Sequence, residues 1–119
     1  MKLDHIVILL SDLEAGLPFY ETLLPLIGFS REKEFVFGNP DGVYLDFRKA
    51  DKPEHRYERY APGLNHIGFT AADREAIESV QAAMADAGFE VAAIQEFADG
   101  SALFLKDAEG MRIEVACYT

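Results

Sequence analysis

The chain has 119 residues, half of them apolar and 27% charged, which excludes a disordered or fibrous polymer and suits one globular domain of the usual ~100–200 residues. Acidic residues outnumber basic ones 21 to 11, a net charge of −10 that disfavours nucleic acid or an anionic membrane as the main partner. The single cysteine, Cys117, rules out an intrachain disulfide and fits a reducing, cytoplasmic location.

Residues 3–10 are an apolar, β-branched run between polar neighbours, which predicts a buried strand. Its core, residues 6–10, is too short to cross a bilayer, and nothing around it reads as a cleavable leader. Residues 11–16 read as a turn. Pro18 fits the first turn of a helix, where its missing N–H costs nothing. That helix runs to about Leu24, with Leu17, Tyr20 and Leu24 at helical spacing, and Gly28 closes the connection. Residues 29–37 are strand-like, Asn39-Pro40-Asp41-Gly42 signals a turn, and residues 43–49 form the last strand of a first module spanning about residues 1–50. A linker over residues 51–62 follows. Around it, residues 48–59 carry five basic side chains (Arg48, Lys49, Lys52, Arg56, Arg59) against three acids. This stretch reads either as a solvated loop or as a positive rim over a site for an anionic substrate.

The second module spans about residues 63–119. It opens with a strand at residues 64–70. Asp73 is an N-cap for a helix through Ala87, with Ile77, Val80 and Met84 on one stripe and Gly88 just past the end. Strands are expected near residues 89–95, 101–106 and 111–117, separated by turns at Asp99-Gly100 and Glu109-Gly110. Each module reads βαβββ. The expected fold is therefore α+β: two βαβββ modules forming a cup-shaped mixed sheet with helices on its outer face.

The modules repeat in detail as well as in order. Leu3-Asp4-His5-Ile6 aligns with Leu64-Asn65-His66-Ile67, Gly28-Phe29 with Gly88-Phe89, and Asp41-Gly42 with Glu109-Gly110. His5 and His66 thus hold matching places on the first strands, and Asp46 and Glu114 on the last. Side chains alternate faces along a strand. Val43, Leu45 and Phe47 should face the helix, and Tyr44, Asp46 and Arg48 the opposite way. Met111, Ile113 and Val115 should likewise face the helix, with Arg112 and Glu114 opposite. Any one of the four repeated residues alone reads as an ordinary core or surface side chain. Their duplication points instead to a shared site for one divalent metal ion, since imidazole with carboxylate suits Zn, Ni, Co, Mn or Fe(II). Cys117 reads as a small core residue and His55 as a surface residue.

With these residues in view, the chain resembles the vicinal oxygen chelate superfamily, which includes glyoxalase I, fosfomycin-resistance proteins, extradiol dioxygenases and bleomycin-binding proteins. The carriers are LDHIVILLSDLEAGLPFYETLLPLIGF at the start, GLNHIGF at residues 63–69 and FLKDAEGMRIEV at residues 104–115, where Ala108 replaces a usual proline. The resemblance implies a metal held by His5, Asp46, His66 and Glu114, with Asp46 standing where Glu is usual. Dropping Asp46 leaves His5, His66 and Glu114, the two-His-one-carboxylate set that resembles fosfomycin-resistance proteins and extradiol dioxygenases.

The resemblance further implies a homodimer, with ligands drawn from both subunits. The implied activity is that of a glyoxalase-like lyase or isomerase on a small-molecule substrate with neighbouring oxygens. Glu114 would be the catalytic base, and Tyr44 and Arg48 would contact substrate. Leu9 stands where resembling glyoxalases carry a basic residue. The alternatives are a fosfomycin-type antibiotic-modifying enzyme and a metal-free, bleomycin-like binding protein.

Overall fold

A computed structural model describes residues 1–119 and divides into two compact units, Met1–Arg56 and Tyr57–Thr119. In the first unit, β1 (His5–Leu10) is followed by α1 (Leu13–Leu26), β2 (Ser30–Lys33), β3 (Val36–Gly38) and β4 (Tyr44–Lys49). In the second, β5 (His66–Thr70) is followed by α2 (Arg74–Asp86), β6 (Gln95–Phe97), β7 (Gly100–Lys106) and β8 (Arg112–Tyr118). Each unit is βαβββ and carries its own four-stranded mixed sheet, ordered β1-β4-β3-β2 in the first and β5-β8-β7-β6 in the second. In both, the first strand lies parallel to the last, and the remaining pairings are antiparallel.

One face of each sheet is covered by its helix. In the first unit Tyr20 of α1 packs on Phe47 of β4 with ring centroids 4.4 Å apart, and Phe37 meets Phe47 edge-on at 6.0 Å. Leu10, Leu23, Leu24 and Leu45 complete that core. In the second unit Ile77, Val80 and Met84 of α2 are buried with Leu103, Leu105, Ile113 and Val115. The stripe expected on α2 is the buried one. On α1 the buried face is wider, because Gly16, Phe19 and Leu23 join Leu17, Tyr20 and Leu24.

The helix ends follow side-chain chemistry. Asp12 accepts a hydrogen bond from Ala15 N at 3.2 Å, and Asp73 accepts one from Ala76 N at 2.8 Å, each satisfying a donor that the first turn cannot. The cap at Asp12 starts α1 earlier than expected. Pro18 is therefore inside the helix rather than in its first turn, and Pro25 lies inside it too. An interior proline removes a helical hydrogen bond at a cost of about 3 kcal/mol, and the wide buried face of α1 offsets it.

Two strand expectations are corrected. Residues 29–37 are not one strand but a hairpin of β2 and β3, bent at Glu34-Phe35 where Arg31 Nε donates to Glu34 O at 3.1 Å. The strand expected at residues 89–95 forms only at Gln95–Phe97. The apolar residues before it pair with no strand, because Gln81 of α2 donates to Ala92 O at 2.9 Å and holds that stretch.

The turns repeat between units. Asn39 Oδ1 accepts from Val43 N at 2.9 Å, and Asp107 Oδ1 accepts from Glu109 N and Met111 N, both at 2.9 Å. At the β6–β7 turn, Arg74 of α2 and Ser101 both donate to Glu96. The Ser101 hydrogen bond, then that from Arg74, holds the Glu96 carboxyl below its ordinary value of 4.5.

Two predictions follow from these contacts. A Cβ on Gly100 (φ 153°) would lie 2.0 Å from the Cys117 carbonyl oxygen, whereas at Gly28 (φ 95°) it would meet open space. Gly100→Ala should therefore cost about 3 kcal/mol or more and Gly28→Ala about 1–2 kcal/mol, read as shifts of the urea midpoint. Equal shifts would refute the close approach. Because the Glu96 pKa is lowered on folding, its contribution is present above the ordinary carboxylate value and is lost as pH falls through the folded value. The stability gap between the parent and Glu96→Gln should thus narrow on acidification below about pH 4.5, and a gap independent of pH would refute it.

Candidate functional site

The parallel pairing of β5 with β8 sets His66 beside Arg112 and Gly68 beside Glu114. Ile113 and Val115 are buried on the α2 side, so His66, Gly68, Arg112 and Glu114 share the other face. There His66 Nε2 lies 3.0 Å from Glu114 Oε2. A Cβ at position 68 would stand 3.6 Å from the same carboxylate oxygen, so the glycine leaves the carboxylate room beside its strand neighbour. Phe104 of β7 lies opposite Glu114, and its ring meets the His66 ring edge-on at 5.9 Å.

The neighbours of His66 decide its tautomer. Asn65 Nδ2 donates to Arg59 O at 3.2 Å, which turns Asn65 Oδ1 toward His66 Nδ1 at 2.7 Å. An amide oxygen only accepts, so Nδ1 carries the proton and a neutral ring presents its Nε2 lone pair to Glu114. Tyr57 steadies this corner by donating to the carbonyls of Leu64 and Asn65, at 2.6 and 3.0 Å. An imidazole nitrogen and a carboxylate oxygen are donor types that a divalent ion accepts. Two ligands about 2.1 Å from one ion and at right angles to each other stand about 3.0 Å apart. The His66–Glu114 spacing and donor types therefore fit a divalent ion.

In the first unit, β1 pairs with β4 so that His5 lies beside Tyr44, Val7 beside Asp46 and Leu9 beside Arg48. Asp46 thus sits two residues beyond the partner of His5, as Glu114 sits two beyond the partner of His66. The repeat read in the sequence is a repeat of register. His5 Nδ1 is held by Asp4 Oδ2 at 2.7 Å, so both histidines are gripped at Nδ1 by the side chain before them. This grip orients a ring and directs its other nitrogen outward.

The two units differ beyond that. Asp46 Oδ2 accepts from Arg48 Nη2 at 2.8 Å, and this hydrogen bond with the carboxylate charge pushes the Arg48 guanidinium above its ordinary value. Val7, not glycine, stands beside Asp46. Tyr44, exposed on the same face, covers Gly38 so closely that a Cβ there would come within 2.7 Å of its ring.

Of the residues singled out in the sequence, His66 and Glu114 meet directly, and Asp46 meets Arg48. No group of three or more His, Cys, Asp or Glu side chains in the chain is placed to hold a metal. Cys117 is buried and free, and His55 is exposed beside Glu54 at 3.7 Å. In the basic stretch Lys49, Lys52 and Arg56 are exposed, while Arg59 stacks on Tyr60 at 4.9 Å. Asp4, Asn65, Gly68 and Phe104 were not singled out. The signal for the first two was present, since they align as the residues preceding the repeated histidines.

No helix is long and apolar enough to cross a membrane. The chain is 28% identical over 123 residues to YqjT of Bacillus subtilis (strain 168), an uncharacterized protein, covering 95% of this chain and 96% of that one. A structure of a candidate glyoxalase from Bacillus halodurans superposes with a TM-score of 0.82 at 21% identity, over 97% of this chain and 94% of that one. The fosfomycin resistance protein FosX of Listeria monocytogenes gives 0.73 at 18% identity, over 99% and 92%. At these identities the two structures establish a shared fold. The family model for the Glyoxalase/Bleomycin resistance protein/Dioxygenase superfamily matches residues 2–115, and the chain belongs to that superfamily.

Proposed function

We propose that the protein is a metal-dependent, glyoxalase-like lyase or isomerase that acts in the cytoplasm on a small substrate with two neighbouring oxygens. The observation that carries this reading is the His66–Glu114 pair, with Nε2 3.0 Å from the carboxylate and Nδ1 held by Asn65. Membership of the superfamily and the fold shared with a candidate glyoxalase support it. A divalent ion bound there supplies Lewis acidity at a substrate oxygen.

His66 and Glu114 are the ligands from the second unit, and His5 and Asp46 are the matching positions of the first. Asn65 and Asp4 hold the two rings at Nδ1. Glu114 doubles as the group that accepts a proton from the carbon next to the substrate oxygens. Tyr44 and Arg48, on the face of His5, contact the substrate. The complete set is drawn from two chains of a homodimer.

The Asp46–Arg48 pair favours a second reading. With Asp46 engaged by a guanidinium, the ligand set reduces to His5, His66 and Glu114, and the chemistry moves toward opening of a small anionic antibiotic such as fosfomycin.

Protein purified without chelator is expected to bind one divalent ion per site by elemental analysis and calorimetry. Asn65→Ala should weaken that binding about 10–100-fold by freeing the ring, and His66→Ala should weaken it further. Undiminished binding in His66→Ala would refute the ligand assignment. The methylglyoxal–glutathione adduct should turn over with Ni, Co or Zn, and Glu114→Gln should lower kcat by about 10²–10⁴-fold. Absence of turnover with all three removes this substrate. Protection of a sensitive bacterium from fosfomycin on expression would select the second reading.

A further inference from the structure

β7 is seven residues long, but β6 pairs only with its residues 100–102. Residues 103–106 have β8 on one side and no strand on the other. The stretch that could extend β6, residues 89–94, carries Phe89, Val91 and Ile94, all good strand formers. Such a stretch would ordinarily zip onto an open edge. Gln81 of α2 takes up the Ala92 carbonyl at 2.9 Å and holds it elsewhere. Between this stretch and β7 lies a cavity of about 390 Å³. That is within the ~300–1,000 Å³ range of small-molecule sites and near its lower end.

The lining has a definite chemistry. Phe89, Val91, Ala92 and Phe104 supply an apolar, largely aromatic wall. Lys106 and Glu90 supply one positive and one negative group, both on exposed residues and neither engaged in the chain's ion pairs. Asp107, the remaining acid, is committed to the turn through Glu109 N and Met111 N. The wall residue Phe104 also meets the ring of His66.

We propose that this cavity binds a small aromatic zwitterion, of which an aromatic α-amino acid is the simplest case. The ring lies against Phe89 and Phe104, the carboxylate faces Lys106, and the ammonium faces Glu90. A ligand of no net charge enters without working against the chain's net charge of −10, as a simple anion would have to. Occupancy needs neither a metal nor turnover, so its failure and that of the proposed activity are distinguishable.

Metal-free protein titrated with L-phenylalanine should bind it saturably, with amide NMR shifts centred on Ala92, Phe104 and Lys106. 3-Phenylpropionate, which lacks the ammonium, and phenethylamine, which lacks the carboxylate, should each bind about tenfold more weakly. Glu90→Gln should erase the advantage over 3-phenylpropionate, and Lys106→Met the advantage over phenethylamine. Both positions are exposed, so the thermal midpoint should not move. The proposal is overturned by any of three results: no saturable binding, shifts centred elsewhere, or L-phenylalanine affinity unchanged in both variants.

Discussion

The parallel pairing of the first strand with the last in each unit is the constraint on which the other features depend. It joins β1 to β4 and β5 to β8 across an intervening helix and hairpin. Once that register is set, strand alternation sends Leu45, Phe47, Ile113 and Val115 under the helices and leaves Asp46 and Glu114 on the opposite face. A slip of one residue would bury the carboxylates beneath the helix and expose the core. Burial of Phe47 against Tyr20 and of Ile113 beneath α2 therefore positions the polar residues behind them, and the core of each unit sets the geometry of its candidate ligands.

On that polar face the two units have diverged in a chemically consistent way. The second pairs a long carboxylate, Glu114, with a glycine neighbour that gives it room to reach His66. The first pairs a shorter one, Asp46, with Val7, and a guanidinium engages the carboxylate. Behind the rings, an amide holds His66 while a carboxylate holds His5. A charged partner makes its histidine the stronger donor, so the two imidazoles would be unequal as ligands.

Much of this was legible in the chain because it is repeated. The paired histidines and carboxylates, the caps at Asp73 and Gly88, and the turns at Asn39-Pro40-Asp41-Gly42 and Glu109-Gly110 all depend on contacts a few residues apart or on periodicity. The misread elements turned on which of two competing signals prevailed. Pro18 looks like a helix start, but Asp12 caps α1 earlier and packing of the wide apolar face carries the helix through the proline. The apolar residues 89–94 look like a strand until Gln81, on the neighbouring helix, takes a carbonyl from them.

The sequence alone determined the βαβββ order, the duplication, and which residue types stand at the matching positions, because hydrophobic period, turn chemistry and repetition are properties of local chain. Only the tertiary structure decided that His66 meets Glu114 while Asp46 is engaged by Arg48, and that Asn65 selects the tautomer. It also decided that an edge of β7 stays open. Those outcomes rest on side-chain directions and on spacings of about 3 Å, between sequence neighbours as well as across the sheet, and a chain read in order carries no measure of them.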